Sequence, residues 1–218
     1  MSQKIDTVIF DMDGTLLDTL ADLADAVNYA LRACHMPERT IDEVRAFVGN
    51  GVRRLLELSV PEGFENPRFE EVFAKFKEYY AIHCNDKTKA YDGILPLLRE
   101  LDRQGYALAI VSNKLDSAVK ELNEIYFEGI VKVAIGEVEG VAKKPAPDMV
   151  EKALRELGKA KETSVYVGDS DVDLMTARNS GLPCISVLWG FRDEAFLKEH
   201  GAERFAKVPA DIRKILEQ

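Results

Sequence analysis

Cysteine is sparse in this chain: Cys34, Cys84 and Cys184 stand far apart among 218 residues. An odd number with no C-x-x-C pair indicates neither a disulfide framework nor a zinc site, and reduced, mostly packed thiols are expected. Histidine is equally scarce, and His35, His83 and His200 show no metal or triad spacing. No stretch approaches the roughly 20 apolar residues of a membrane span. The segment Met1-Ser2-Gln3-Lys4-Ile5-Asp6 also lacks the apolar core of a signal peptide. A cytoplasmic protein without a membrane partner is therefore expected. Basic charge is short as well, with 29 Lys and Arg against 38 Asp and Glu, a formal net charge of -9. Nucleic acid needs a concentrated basic surface and is not expected as a partner. A small anion remains open, because one local cluster of metal, lysine and backbone amides suffices for it.

What is present is ordinary for a globular chain: 46% hydrophobic and 31% charged residues, with length enough for a substantial core. The most informative segment is Asp11-Met12-Asp13-Gly14-Thr15, directly after the apolar run Thr7-Val8-Ile9-Phe10. Such a run reads as a buried strand delivering carboxylates to the end of a sheet, where α/β folds place ligands. Two acids one residue apart are suited either to holding a metal ion or to supplying a nucleophile beside a proton carrier.

Three further strand ends carry polar groups. Ala107–Val111 runs into Ser112-Asn113-Lys114, where a hydroxyl and backbone amides suit phosphate oxygens. Lys143-Lys144-Pro145 lies in a loop after the strand candidate Val131–Ile135, and Val165–Val167 runs into Gly168-Asp169-Ser170-Asp171-Val172-Asp173. The acidic run opens like an EF-hand calcium loop, but Leu174 and Ser180 occupy the glycine and glutamate positions, so that loop reading fails. Taken one at a time, each segment has an ordinary reading as a turn, a helix cap or a solvated charge pair. Taken in order and spacing, the four resemble the motifs of the haloacid dehalogenase-like (HAD) phosphohydrolase superfamily over nearly the whole chain.

Residues 17–89 differ in character. Leu20, Leu23, Val27 and Leu31 recur at helical spacing, as do Val72, Phe73, Phe76, Tyr79 and Tyr80, with shorter helices expected over 41–47 and 52–56 and no convincing strand. Beyond residue 90, strands at 107–111, 131–135, 165–167 and 184–188 alternate with helices near 117–125, 148–157 and 172–180. The pattern predicts an α/β fold: a doubly wound, Rossmann-like parallel sheet core over 1–16 and 90–218, with an inserted all-helical cap domain over 17–89.

The resemblance implies roles. Asp11 would be the nucleophile that forms an aspartyl-phosphate, and Asp13 the general acid and base. Ser112 and the Asn113 N–H would bind phosphoryl oxygens, and Lys144 would neutralise the nucleophile and the developing charge. Lys144 is preferred to Lys143 because the family lysine directly precedes proline, which also favours extended backbone. Mg²⁺ would be held by Asp11, Asp169 and the Asp13 carbonyl. Asp173 would orient Lys144 or a metal-bound water, and Thr15 would touch phosphate. Trp189-Gly190-Phe191 resembles an element of related phosphatases, with packing its expected role.

The closest resemblance is to phosphoglycolate phosphatase-like members, with a small phosphorylated metabolite as partner. In these, a segment like Gly49-Asn50-Gly51 faces the active site, and Arg53 would pair with a substrate carboxylate. β-Phosphoglucomutase-like, pyrophosphatase and phosphonate-cleaving relatives are alternatives within the superfamily. A receiver-type signalling domain is the alternative outside it, disfavoured by Asp13 and the long insertion. Oligomeric state is not addressed by the sequence.

Overall fold

The computed structural model describes residues 4–217; residues 1–3 and 218, which the expected core includes, lie outside the described residues. The strands are β1 (Thr7–Phe10), β2 (Leu17–Asp18), β3 (Lys89–Ala90), β4 (Ala107–Leu115), β5 (Val133–Glu137), β6 (Ser164–Gly168), β7 (Cys184–Val187) and β8 (Phe205–Ala206). The helices are α1 (Leu20–Ala33), α2 (Ile41–Phe47), α3 (Val52–Ser59), α4 (Phe69–His83), α5 (Ile94–Arg103), α6 (Asp116–Phe127), α7 (Asp148–Leu157), α8 (Asp171–Ser180), α9 (Glu194–Glu199) and α10 (Pro209–Leu216). The chain divides into two units, one formed up to Leu17 and from Ala90 onward, the other by Asp18–Lys89.

In the larger unit six strands form one sheet in the order β5-β4-β1-β6-β7-β8, and the register pairs all run parallel. Parallel strands need helical crossovers that cover both faces, so the central strands bury both sets of side chains. Val8 and Phe10 of β1, Leu108 and Ile110 of β4, and Val165 and Val167 of β6 join α5, α6 and α10 on one side. Ile9, Ala109, Val111 and Tyr166 point the other way, against Met149, Val150, Ala153 and Leu154 of α7. From β1 the chain winds outward through β4 and β5, then returns to β1's other side for β6. That reversal beside β1 is the topological switch point, where carboxyl ends of strands open a crevice.

Three details differ from the sequence reading. Strand β5 begins at Val133 rather than Val131, because the Val131 N–H is used by the Phe127 carbonyl at the end of α6. Strand β4 continues to Leu115, with a register shift between Val111 and Leu115 that sets Ser112, Asn113 and Lys114 in its irregular stretch. The sheet also gains β8 and is followed by α10, a C-terminal edge that was not anticipated.

In the Asp18–Lys89 unit, α1 packs on α4, burying Val27, Ala30, Leu31, Val72, Phe76 and Tyr80. Helix α2 starts on a capping box in which Thr40 Oγ1 accepts from the Glu43 N–H and Glu43 accepts from the Thr40 N–H. Buried Asp22 of α1 fastens the returning chain by accepting from the Lys87 N–H, the Thr88 N–H and the Thr88 hydroxyl. The insertion is not wholly helical: β2 and β3, two residues each, pair where the chain passes between the units.

Candidate active site

The strand ends at the switch point bring Asp11, Asp13, Lys114, Lys144, Asp169 and Asp173 together, all within the larger unit. Asp11 follows β1, its N–H donating to the Val167 carbonyl of β6 at 2.9 Å. Gly14, at φ 80°, turns the chain back so that the N–H groups of Thr15, Leu16 and Leu17 all donate to the Met12 carbonyl. A non-glycine residue there would be strained, and its Cβ would overlap the Asp169 carboxylate.

Lys144 is 2% exposed and its Nζ lies 2.9 Å from Asp11 Oδ1 and 2.8 Å from Asp173 Oδ1. The neighbouring Lys143 is half-exposed and 3.9 Å from Glu137, so the geometry singles out Lys144. Burial disfavours the Lys144 cation, but Asp11 and Asp173 outweigh it and hold its pKa well above the usual lysine value. The loop carrying it is anchored by Asn113, whose Nδ2 donates to the Lys144 carbonyl at 3.0 Å. The Lys144–Pro145 peptide bond is cis.

Asp173, fully buried, is used on both oxygens. Oδ1 accepts from Lys144 Nζ and, at 3.2 Å, from the Tyr166 hydroxyl; Oδ2 accepts from the Asp169 N–H, the Ser170 N–H and the Ser170 hydroxyl. The bond from the Ser170 N–H, with the reciprocal one from the Asp173 N–H to Ser170 Oγ, forms the capping box that starts α8. One oxygen each of Asp11, Asp169 and Asp173 lie within 4.8 Å of one another, and those of Asp173 already accept from Lys144, Tyr166, Asp169 and Ser170.

Asp169 sits at the end of β6, 1% exposed. The Phe191 N–H donates to its Oδ2 at 2.7 Å and the Thr15 hydroxyl to its Oδ1 at 3.3 Å. Thr15, expected at phosphate, is fully buried and turned onto this carboxylate instead, and its carbonyl accepts from Trp189 Nε1 at 2.9 Å. Trp189-Gly190-Phe191 thus does more than pack. A Cβ on Gly190 would overlap both Asp169 and the Gly14 carbonyl, so this glycine lets the loop close over the carboxylate.

Four carboxyl groups, of Asp11, Asp13, Asp169 and Asp173, face two ammonium groups, of Lys114 and Lys144, so that full ionisation would leave an excess of two negative charges. Burial, with Asp173 and Asp13 adding to it against the pull of Lys144, raises Asp11 to about 7. Burial likewise raises Asp169 well above the carboxylate range, with Asp173 and Asp11 adding to it. A divalent cation fits this donor set in charge and in its all-oxygen chemistry, with Asp11 and Asp169 as the carboxylates near it.

Two participants were missed by sequence reasoning. Lys114, read only as part of a phosphate-binding segment, places its Nζ 2.8 Å from Asp13 Oδ1. Tyr166, an apolar-run residue by position, shares its one hydroxyl proton between the Val111 carbonyl and Asp173 Oδ1, each 3.2 Å away, and accepts from Lys144 at 3.1 Å. Neither pairing has a local sequence signal, since each partner lies on a different strand or loop.

Gly49, Asn50 and Arg53 lie in the Asp18–Lys89 unit, where Gly51 at φ 83° opens α3. The Arg53 guanidinium is already engaged there: Nη2 is 2.5 Å from Glu70 Oε1, and the group lies over the rings of Phe64, Phe69 and Phe73.

Comparison with known proteins places these features. The family model described as haloacid dehalogenase-like hydrolase matches residues 8–187. The phosphoglycolate phosphatase of Aquifex aeolicus (strain VF5) is 34% identical over 84% of this chain and 85% of its own. The pyrophosphatase PpaX of Bacillus cereus (strain AH820) is 27% identical over 98% of this chain and 97% of its own. The crystal structure of a candidate phosphoglycolate phosphatase from Lactobacillus delbrueckii subsp. bulgaricus superposes with a TM-score of 0.93 at 37% identity, covering 98% of this chain and 99% of that one. With the parallel sheet, the acidic strand ends and the buried lysine all in agreement, this chain belongs to the haloacid dehalogenase-like hydrolase family.

Proposed function

We propose that the chain is a Mg²⁺-dependent phosphatase that hydrolyses a small phosphate monoester, with 2-phosphoglycolate as the favoured substrate, through an aspartyl-phosphate on Asp11. The observation that carries the reading is Lys144, buried against both Asp11 and Asp173 at the carboxyl end of β1. A carboxylate attacking a phosphate monoester must overcome like-charge repulsion, and a fixed ammonium beside it reduces that barrier.

Asp11 attacks phosphorus while the ester oxygen departs with a proton from Asp13. The Asp13 carboxylate then takes a proton from the water that hydrolyses the acyl phosphate, returning Asp11 and releasing inorganic phosphate. Ser112 and the Asn113 N–H receive phosphoryl oxygens in this scheme. Asp11, Asp169 and the Asp13 carbonyl would hold Mg²⁺, which when bound offsets the negative charge of phosphate and nucleophile. Among the described residues no helix is long and apolar enough to cross a membrane. A cytoplasmic setting, where the free cysteines stay reduced, is part of the proposal.

The substrate choice is supported by the Aquifex relative, a phosphoglycolate phosphatase. Steady-state phosphate release with Mg²⁺ from phosphoglycolate, pyrophosphate and hexose phosphates tests it. The highest kcat/KM is expected on phosphoglycolate. A preference for pyrophosphate or a hexose phosphate replaces the substrate and keeps the chemistry, whereas no release from any ester overturns the phosphatase itself.

A further inference from the structure

The side chain of Lys114 is 1% exposed and that of Asp13 14%, and the two are joined at 2.8 Å across 101 residues of sequence. We propose that Lys114 is a positioning residue of the reaction: its ion pair fixes the rotamer of Asp13 so that the carboxyl stays at the departing oxygen's side of Asp11. The inference rests on the phosphatase reading and deepens it.

The local backbone supports the assignment. Regular pairing of β4 with β5 is lost between Val111 and Leu115, the stretch that carries Lys114. The Lys114 N–H leans on the Ser112 hydroxyl at 3.4 Å, which ties the segment assigned to the phosphoryl group to the residue that holds the acid. Asp13 itself stands on a tight turn, bridged to Leu17 and followed by Gly14. Its backbone is therefore set by the turn, while its side chain, only partly buried, needs a partner to keep one rotamer. A lysine sent into a buried position is desolvated at a cost, and an ion pair of good geometry offsets it. Lys144 already supplies the cation beside the nucleophile. A second buried ammonium aimed at Asp13 therefore acts on the proton-transfer arm.

The test compares esters that differ in their need for an acid. Alkyl phosphates lose a strongly basic oxygen and depend on Asp13, whereas p-nitrophenyl phosphate loses a weakly basic one. If Lys114 works through Asp13, Lys114→Met lowers kcat/KM on an alkyl phosphate at least about 10-fold more than on p-nitrophenyl phosphate, as loss of general acid catalysis requires. The double variant Lys114→Met with Asp13→Asn should then be no slower than Asp13→Asn alone. Equal losses on both esters, or multiplying losses in the double variant, overturn the role of Lys114 while wild-type turnover upholds the phosphatase. A wild type that hydrolyses neither ester overturns both readings. Should Lys114→Met not fold, Lys114→Leu, which likewise removes the donor, is put through the same comparison with the same outcomes.

Discussion

Asp173 reaches Lys144 with one carboxylate oxygen at 2.8 Å while its other oxygen gathers the N–H groups of Asp169 and Ser170. One side chain thereby starts helix α8, sets the Asp169 backbone and fixes the cation beside Asp11. Removing it should be felt in both stability and turnover. Asp173→Ala strips a partner from a buried ammonium and orphans two amides, so the free energy of unfolding should fall by about 3–5 kcal/mol. Urea denaturation checks this, and a loss under about 1 kcal/mol would contradict the buried network.

Asp11→Asn should abolish turnover on every ester while the fold persists, because the amide cannot form the acyl phosphate. Asp13→Asn should leave the nucleophile in place and lower kcat by about 10²- to 10⁴-fold. Rapid-quench measurement of phosphorylated enzyme separates the two. Substantial turnover by Asp11→Asn would remove Asp11 from its role.

Chelation should remove activity and Mg²⁺ should restore it. Ca²⁺ should support it poorly, because its larger, more variable oxygen shell holds the reacting groups less strictly. Asp169→Ala should raise the Mg²⁺ concentration needed for half-activation. Full turnover after exhaustive chelation would contradict the site.

Without a cation, Asp11 titrates near 7 because burial, Asp173 and Asp13 oppose its charge. Its value in the unfolded chain is about 4, so the folded state holds a proton that the unfolded state has released between those limits. Stability of the metal-free protein should therefore be greatest below about pH 4 as far as this group is concerned, fall as pH rises towards 7, and level off above it. Mg²⁺ favours the ionised form and should flatten the slope. Thermal melts from pH 5 to 8 with and without Mg²⁺ measure both effects, and a metal-free midpoint rising across that range would contradict the assignment.

Arg53 is the residue that the resemblance to phosphoglycolate phosphatases offers for a substrate carboxylate, and within its own unit Glu70 and three phenylalanine rings engage it. If it reads that group, Arg53→Ala should lower kcat/KM for phosphoglycolate by about 1.5–3 kcal/mol, the range for a charged hydrogen bond, and p-nitrophenyl phosphate much less. Equal effects would confine Arg53 to its contacts with Glu70 and the aromatic rings.

The amino-acid sequence by itself determined the α/β pattern, since apolar runs of strand length ending in Asp11, Ser112 and Asp169 are local signals. Its resemblance to the family motif, a lysine directly before proline, also marked Lys144. Only the tertiary structure decided which polar groups meet. That Thr15 serves Asp169, that Phe191 closes on the same carboxylate and that Lys114 pairs with Asp13 depend on strand order and register, which join segments up to 174 residues apart, as Thr15 and Trp189 are. The ends of β4 and β5 were likewise settled by a register shift and a helix-terminal hydrogen bond. Apolar periodicity tells a chain which side to bury, but a buried charge is placed by whichever partner the completed fold brings within hydrogen-bonding distance.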